Sequence, residues 1–425
     1  MDRLLARERR SGGSRHVQTE SPQISPTESR LKGRPVKGLT APALYMGALA
    51  AFVGYSASFA IVLAGLNAMG ATDGQAATGL FFATVAMGVS GIWLPFVTHT
   101  PAAVAWSAPG AAFLAASTVL PGGFAEAVGA LLLCAVLIVL TGVVPAMARA
   151  VAAIPKPIAN ALLAGVLLKL CLAPAIALGS LPILTLPIFL AWVVGLTWNR
   201  LLAMPLAVIA LVIVLVVAIE PSSSAGELAV NWRPDIDPVA PTFSWTSAVS
   251  IALPLYLVTM AGQNIPGFAV LELNSYRVNR PFLLRSTGLV SLGTAPFGAI
   301  PVNMSAITAS MMAGEDAGPD PRGRYWAAIV SGICYLALAL AASAVTSLAR
   351  LVPPELITAV AGLALIPAFV AALRAAFNDT AQLEATALTF LLAASGISLL
   401  GVSGAVWGIV AGSIIWLSKA FLSRA

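Results

Sequence analysis

Hydrophobic runs of about 20 residues recur from about residue 40 to the end of the chain, separated by short polar or Pro- and Gly-containing breaks. A helical run of that length crosses the ~30 Å hydrocarbon core of a bilayer. The pattern therefore predicts an all-α polytopic membrane protein with about fourteen transmembrane segments. Their approximate bounds are 42–68, 74–96, 101–118, 124–146, 155–177, 181–197, 202–220, 248–271, 281–297, 298–314, 324–348, 353–375, 381–399 and 401–421.

The tenth of these segments is a poor membrane helix. Residues 298–313 read GAIPVNMSAITASMMA, in which Pro301 removes a backbone donor and Asn303 places an amide at depth. Ser305 is a natural N-cap, so we predict an extended piece followed by a half-helix. Irregular backbone is tolerated at membrane depth only where it is buried in protein or lines a cavity. This segment is therefore the first candidate for a binding site.

The third segment has the same make-up. Residues 100–116 read TPAAVAWSAPGAAFLAA, with an extended stretch before Pro109 and Gly110 open a short helix. We predict that this segment is the partner of the tenth.

Matching motifs on either side of the long polar loop at 221–246 suggest an internal repeat. Seven spans in each half is an odd number, so the second half must be inverted relative to the first. Inverted repeats with broken helices in matching places predict a secondary transporter with its site at the midplane of the membrane. The matched pairs are 154–165 with 352–362, Trp106 with Asn303, and 53–63 with 261–271.

Composition agrees with a membrane protein and argues against enzymatic or metal chemistry. Of the 425 residues, 59% are hydrophobic and 9% are charged, whereas a soluble domain is about 25% charged. The three cysteines lie in apolar runs, where they read as small core residues. No motif for a cofactor or metal is present, so we predict no cofactor, no metal ion and no enzymatic activity.

The first 38 residues carry nine Lys or Arg and four Asp or Glu among many Ser, Gly and Pro. This composition predicts a disordered basic tail. Nucleic-acid binding is the alternative for such a tail, but membrane topology explains its charge better, and we expect no nucleic-acid partner.

Charge placement sets the predicted topology. An even number of spans puts both termini on one side, which we assign to the cytoplasm. Of the 23 Lys and Arg, twenty then face the cytoplasm, Arg233 and Arg350 lie outside, and Lys169 lies within the fifth span. This asymmetry follows the positive-inside rule. The twenty are the nine in the tail together with Arg149, Lys156, Arg200, Arg277, Arg280, Arg285, Arg322, Arg324, Arg374, Lys419 and Arg424.

The eighth span contains GQNIPGFAVLEL (262–273), in which Gln263 and Asn264 are adjacent amides followed by Pro266 and Gly267. Polar groups in a membrane need partners and tend to be functional, although interhelical hydrogen bonding is the simpler explanation. Together with AWSAPGAAFLA in the third span and IPVNMSAITASMMAG in the tenth, this motif resembles the bacterial benzoate:proton symporter family over about residues 40–420. That family is related to the uracil and nucleobase–ascorbate transporters.

The resemblance implies a uracil-transporter-like fold, with fourteen segments in a 7+7 inverted repeat and two short strands and half-helices in segments 3 and 10. It implies a core domain (39–150 and 248–350) and a gate domain (151–220 and 351–425), with an extracytoplasmic loop at 221–247. Relatives on this fold often dimerise through the gate domain. The implied function is secondary active transport, as benzoate:proton symport across a bacterial inner membrane.

The predicted site is neutral. In the nucleobase relatives the eighth and tenth spans supply acidic residues, whereas Gln263 and Asn303 stand in the nearest matching places here. Buried carboxylates would repel an anion, so a neutral site favours an aromatic carboxylate over a nucleobase. The N-termini of the two half-helices, each carrying about half a positive charge, would converge on the carboxylate.

Side-chain amides and hydroxyls would orient this carboxylate, and aromatic rings would form the walls of the site, although ordinary packing is the alternative for each ring. The predicted substrate-binding residues are Tyr55, Trp106, Ser107, Pro109, Gly110, Gln263, Asn264, Asn303, Met304 and Ser305, with Phe59 as a further wall.

Proton coupling has weaker support in the sequence. Glu272 follows the motif of the eighth span, and His99 titrates in a useful range, although a solvated turn histidine is the simpler reading. The substrate could also bring its own proton. Lys169 could attract an anion, or its side chain could extend outward to the membrane surface.

Two alternatives remain on the same evidence from sequence. The first is a nucleobase or inorganic-anion carrier of the same fold. The second is a non-transporting sensor, although 38 tail residues are too few to form a signalling domain.

Overall fold

The computed structural model describes residues 38–218, 236–350, 352–378, 382–399 and 402–422. The predicted basic tail, apart from its last residue, and most of the loop predicted at 221–247 lie outside these residues. The nineteen helices of the described part are α1 Ala41–Ser56, α2 Phe59–Ala68, α3 Asp73–Thr98, α4 Ala108–Ala116, α5 Gly123–Val143, α6 Pro145–Ala153, α7 Lys156–Ser180, α8 Pro182–Trp198, α9 Ala203–Ala218, α10 Trp245–Ser247, α11 Leu253–Thr259, α12 Ile265–Leu273, α13 Arg280–Thr294, α14 Ala306–Ala313, α15 Tyr325–Leu340, α16 Ala342–Arg350, α17 Pro354–Ala376, α18 Leu383–Ala394 and α19 Gly404–Leu422. The four strands are β1 Val104–Trp106, β2 Val302–Met304, β3 Ser398–Leu399 and β4 Val402–Ser403.

The prediction of about fourteen spans is wrong by the criterion of helix length and apolar composition. Within the described residues, eight helical segments are long and apolar enough to cross a membrane. Hydrophobic runs were counted as spans even where the helix within them is short, as in the nine residues of α4 and the eight of α14. The eight segments are Ala41–Ala68, Asp73–Thr98, Gly123–Val143, Lys156–Ser180, Arg200–Val217, Trp245–Leu273, Pro321–Leu340 and Pro354–Ala376.

Strands β1 and β2 form a two-stranded antiparallel ribbon inside the helical bundle. Val104 pairs with Met304, Ala105 with Asn303, and Trp106 with Val302. All six residues are buried. Because no water reaches these backbone groups, the only stable arrangement is one in which the protein itself supplies every hydrogen-bond partner.

Two further backbone hydrogen bonds extend the ribbon at its ends. The Ser107 N–H donates to the Pro301 carbonyl at 2.9 Å, and the Ser305 N–H donates to the Ala103 carbonyl at 3.0 Å. Each strand then passes directly into a half-helix, α4 after β1 and α14 after β2. The serines cap these helices, since Ser107 Oγ accepts from the Gly110 N–H at 3.0 Å and Ser305 Oγ from the Thr308 N–H at 3.4 Å.

The segment Trp245–Leu273 is helical throughout but contains two π-helical turns, at Ala248–Ala252 and Met260–Asn264. Pro266 follows the second turn within the first turn of α12. A π-turn is an uncommon distortion that is often found at functional sites. The second π-turn carries both adjacent amides of the sequence motif.

Helices α3 and α15 cross closely through glycine. An added Cβ at Gly332 would lie 2.8 Å from the Gly88 carbonyl oxygen and 2.8 Å from the Gly91 carbonyl carbon. Small residues of this kind let two helix backbones approach within a membrane. The contact joins α3, which precedes β1, to α15, which follows α14.

We expect Gly332→Ala to destabilise the protein by about 1–3 kcal/mol, because the new methyl group must push apart two backbones. Gly293→Ala in α13 is the matched control, since no heavy atom lies within 4 Å of the added Cβ there. The control should be neutral or slightly stabilising. Thermal unfolding in detergent measures both, and equal midpoints would contradict the close crossing of α3 and α15.

Candidate functional site

The centre of the site is the ribbon, and the Asn303 side chain braces it. In the amide orientation that satisfies both polar atoms, Asn303 Oδ1 accepts from the Ser107 N–H at 3.1 Å and Nδ2 donates to the Met304 carbonyl at 3.1 Å. Asn303 is fully buried. Its amide is therefore engaged with backbone groups of the ribbon, including the residue that caps α4.

Asn264 connects the eighth predicted span to the other strand. Its Oδ1 accepts from the Met304 N–H at 3.1 Å, and its Nδ2 donates to Met260 Sδ at 3.3 Å. Asn264 is also fully buried. At Gly267, one turn beyond the amides, an added Cβ would lie 2.7 Å from Met304 Cβ. Helix α12 thus lies directly against β2.

Ser107 is held from the same helical segment. Its Oγ and Thr259 Oγ1 share a hydrogen bond of 2.7 Å, in addition to the cap on α4. Both residues are fully buried. The segment Trp245–Leu273 therefore contacts both strands, through Thr259 at the end of β1 and through Asn264 at the end of β2.

Gln263 differs from the other two amides. It is half-buried, and its side chain makes no hydrogen bond to the part of the chain that the structure describes. The preceding residue, Gly262, faces the start of α4 and α7, since an added Cβ would lie 3.2 Å from Pro109 Cγ and 3.3 Å from Leu163 Cδ2. Gln263 thus keeps its donors and acceptor available beside the first turn of α4.

The predicted aromatic walls come together. Trp106 Nε1 donates to Ser58 Oγ at 2.7 Å, and its ring centroid lies 5.3 Å from that of Tyr55. Tyr55 in turn stacks on Phe59, with centroids 5.9 Å apart. Tyr55 and Phe59 also line an apolar cavity of about 240 Å³. The three rings form one continuous aromatic group, which we call the aromatic wall.

The two half-helices do not converge as the sequence suggested. The antiparallel register places their caps, Ser107 and Ser305, at opposite ends of the ribbon. Four strand positions separate the caps, which amounts to about 13 Å. One carboxylate group cannot contact both helix N-termini, so a substrate anion is held at one of them.

Glu272 and His99 lie away from the ribbon. Glu272 is eight residues beyond Asn264, about 12 Å along the helix, and its carboxylate pairs with Arg280 at 2.7 Å in an exposed ion pair. His99 is exposed at the C-terminus of α3, where its ring packs edge-on against Tyr325 with centroids 5.2 Å apart. The structure does not bring either group to the amides and hydroxyls of the site.

Two titratable groups near the Glu272–Arg280 pair are tied into loop structure. The Tyr276 hydroxyl donates to the Pro321 carbonyl at 3.0 Å, and burial raises the pKa of this hydroxyl above its ordinary value. The Arg322 guanidinium donates to the Asp320 carboxylate and lowers the pKa of that carboxyl. These interactions fix the connections before α13 and α15.

Three hydroxyl residues of the site were missed from the sequence. Ser58 accepts from Trp106, Thr259 bonds Ser107, and Ser291 Oγ accepts from the Val302 N–H at 2.9 Å. Ser58 lies within the stretch that sequence comparison paired with the eighth span. Thr259 and Ser291 are single hydroxyls in apolar helices, and no sequence pattern distinguishes them from ordinary helix residues.

Comparison with known proteins places this geometry in context. A family described as benzoate membrane transport protein (BenE) matches residues 38–417. Inner membrane protein YdcO of Escherichia coli K12 is 35% identical over 378 residues, covering 88% of this chain and 95% of that protein. The benzoate membrane transport protein of Acinetobacter baylyi is 30% identical over 377 residues, covering 87% and 93% respectively.

Similar solved structures include the transmembrane domain of the cyanobacterial bicarbonate transporter BicA and the anion transporter SLC26A9. BicA matches with a TM-score of 0.52 at 15% identity, covering 89% of this chain and 95% of that one. SLC26A9 matches with a TM-score of 0.60 at 12% identity, covering 89% and 65%. The predicted uracil-transporter-like fold with fourteen segments in a 7+7 inverted repeat is therefore wrong. The fold is the one seen in BicA and SLC26A9.

We expect Asn264→Leu to lower stability by about 1–3 kcal/mol, because the buried Met304 N–H loses its acceptor. Gln263→Leu is the matched control from the adjacent position and should change stability little, since it breaks no hydrogen bond to a described residue. Thermal unfolding of the two purified variants makes the comparison. Equal losses would show that the Asn264 side chain does not hold β2 in place.

Proposed function

The chain belongs to the benzoate membrane transport protein family, and from this premise we propose that it is a secondary active transporter that carries benzoate or a close aromatic carboxylate together with a proton. It is a multi-pass integral membrane protein and a transporter, not an enzyme. The named substrate and the proton belong to the proposal.

The observation that carries the proposal is the neutral polar character of the site beside the ribbon. The side chains that surround it are hydroxyls and amides, and none of them is ionisable: Ser107, Thr259, Gln263, Asn264, Asn303 and Ser305. A carboxylate substrate meets no like charge there, whereas a fixed carboxylate in a site of low dielectric would repel it strongly.

The first turn of α4 supports binding of the carboxylate group. Pro109 lacks a backbone donor and Gly110 donates to Ser107 Oγ, so the free donor of this turn is the Ala108 N–H. The positive end of the α4 dipole adds to the attraction for an anion. Gln263 lies beside the same turn with its amide unpaired, and an amide N–H donates well to a carboxylate oxygen.

The aromatic wall supports recognition of an aromatic body. Tyr55, Phe59 and Trp106 offer ring faces and edges with centroids 5–6 Å apart, a spacing at which a further ring stacks favourably. Tyr55 and Phe59 line an apolar cavity, so an aromatic ring can exchange water for apolar contact there.

Transport requires that the site face each side of the membrane in turn. We propose that the core domain, residues 39–150 and 248–350, moves against the gate domain, residues 151–220 and 351–425. Both termini are assigned to the cytoplasm in this scheme, and the charge asymmetry of the loops supports that assignment. Homodimerisation through the gate domain belongs to the same proposal.

A second candidate function is transport of an inorganic anion. The likeness to a bicarbonate transporter favours it, because that protein shares the fold. The aromatic wall weighs against it, since a small hydrated anion makes no use of three aromatic rings. Competition of benzoate uptake by bicarbonate, sulfate and uracil separates these carriers and the nucleobase alternative.

We expect Gln263→Glu to raise the KM for benzoate more than about tenfold at neutral pH, since like charges placed together cost several kcal/mol. Gln263→Leu removes the amide without adding charge and should be impaired less. Initial rates of labelled benzoate uptake into proteoliposomes give both constants. A wild-type KM in the Glu variant would exclude Gln263 from the site.

We expect an inward proton gradient to accelerate benzoate uptake into proteoliposomes, and a protonophore to abolish the acceleration. The measurement belongs at about pH 7.5, where a carboxylic acid is ionised and crosses lipid slowly. Protein-free liposomes provide the background. Uptake that ignores the gradient would contradict symport.

Two variants locate the proton. If Glu272 or His99 carries it, Glu272→Gln or His99→Gln should transport benzoate without responding to the gradient. If both variants respond as the wild type does, neither side chain is the carrier, and the proton travels with the substrate or on another group.

A further inference from the structure

Lys169 is a membrane-embedded cation that the site beside the ribbon does not use. It lies in α7, thirteen residues beyond Lys156, which is about 20 Å along the helix. No described carboxylate pairs with it. Charged side chains within membrane helices are costly, and they face a cavity, a partner or a substrate pathway.

A cavity of about 240 Å³ lies against Lys169. Its walls come from the C-terminal end of α4 and the loop after it, from α7, from the start of the segment Trp245–Leu273, and from the connection between α18 and α19. These elements belong to both predicted domains. The cavity therefore sits between core and gate, where a substrate pathway would run.

The lining of this cavity is mixed in a specific way. Lys169 supplies one positive charge, and Ser117, Thr118 and Thr246 supply hydroxyls. The Ser403 hydroxyl also lines it, and its oxygen is buried without a hydrogen-bond partner among the described residues. The remaining walls are largely apolar, with Phe113 and Leu120 among them. A cation with hydroxyls and apolar walls fits an organic carboxylate better than an inorganic anion.

We propose that this cavity is a second binding site, a vestibule in which Lys169 captures the carboxylate before it passes to the site beside the ribbon. The inference rests on the proposed function. Helix α4 connects the two places, because its first turn lies at the ribbon and its last turn lines the vestibule. The nine residues of α4 set the separation at about 13 Å.

Lys169 could instead serve only the fold. The C-terminal end of α4 carries a partial negative charge, and a nearby cation stabilises such an end. The two roles predict different losses. A purely structural lysine changes stability and the amount of folded protein, whereas a capturing lysine changes the KM from one side of the membrane and makes it dependent on salt.

The test compares Lys169→Met with Lys156→Met, which removes the same charge from the other end of the same helix. Benzoate uptake is measured in membrane vesicles of both orientations, at low salt and at about 0.5 M salt, where exposed charges are screened. Lys169→Met should raise the KM about tenfold from the face that holds the vestibule. The maximal rate and the KM from the opposite face should stay unchanged.

High salt should raise the wild-type KM from the vestibule face and remove most of its difference from Lys169→Met. Lys169→Arg should restore the low KM, and Lys156→Met should behave as the wild type. An unchanged KM in Lys169→Met, or a loss of stability with equal effects from both faces, overturns the vestibule while leaving the proposed function standing. A wild-type protein that transports no benzoate overturns both.

Discussion

The structure depends on a two-stranded ribbon whose backbone must be satisfied without water. Three residues from each strand cannot form a sheet of useful size, and each strand has only one neighbour. Side chains supply what a larger sheet would provide: Asn264 accepts from Met304, Ser291 accepts from Val302, and Asn303 bridges the ribbon to the cap of α4. Each of these groups is buried, so the loss of one would leave a polar backbone atom without a partner.

This requirement divides the polar residues by purpose. Asn264 and Asn303 look equivalent to Gln263 in the sequence, yet their amides are occupied by the ribbon. Gln263 alone of the three amides has its polar atoms available beside the first turn of α4. The central part of the molecule therefore uses most of its polarity to exist, and a small remainder faces the space where a substrate would lie.

Local chemistry made part of this arrangement predictable. Pro301 with Asn303 ruled out an ordinary helix, and the serines at 107 and 305 marked the starts of the two half-helices. The register of the strands was not predictable, because a three-residue strand carries too little pattern to fix its partner. That register separates the two caps, so the expected convergence of helix N-termini failed. Hydropathy overcounted the spans, since it responds to apolar runs and not to the helix length within them.

The hydroxyls at Ser58, Thr259 and Ser291 escaped prediction for a related reason. Each sits in a helix where a lone Ser or Thr can bond its own backbone, and several others in this chain do so. Only the three-dimensional crossing of helices identifies the three that reach a neighbour.

The π-turn at Met260–Asn264 has a consequence for how this helix tolerates change. A π-turn holds one residue more than the α-helical turn it replaces. Losing one residue there would turn everything beyond it by about 100° around the helix axis, given 3.6 residues per turn. Asn264 and Gly267 would no longer face Met304, and Glu272 would leave Arg280. The wide turn thus acts as a phase setting, and the helix is more sensitive to the count of its residues than to the identity of most of them.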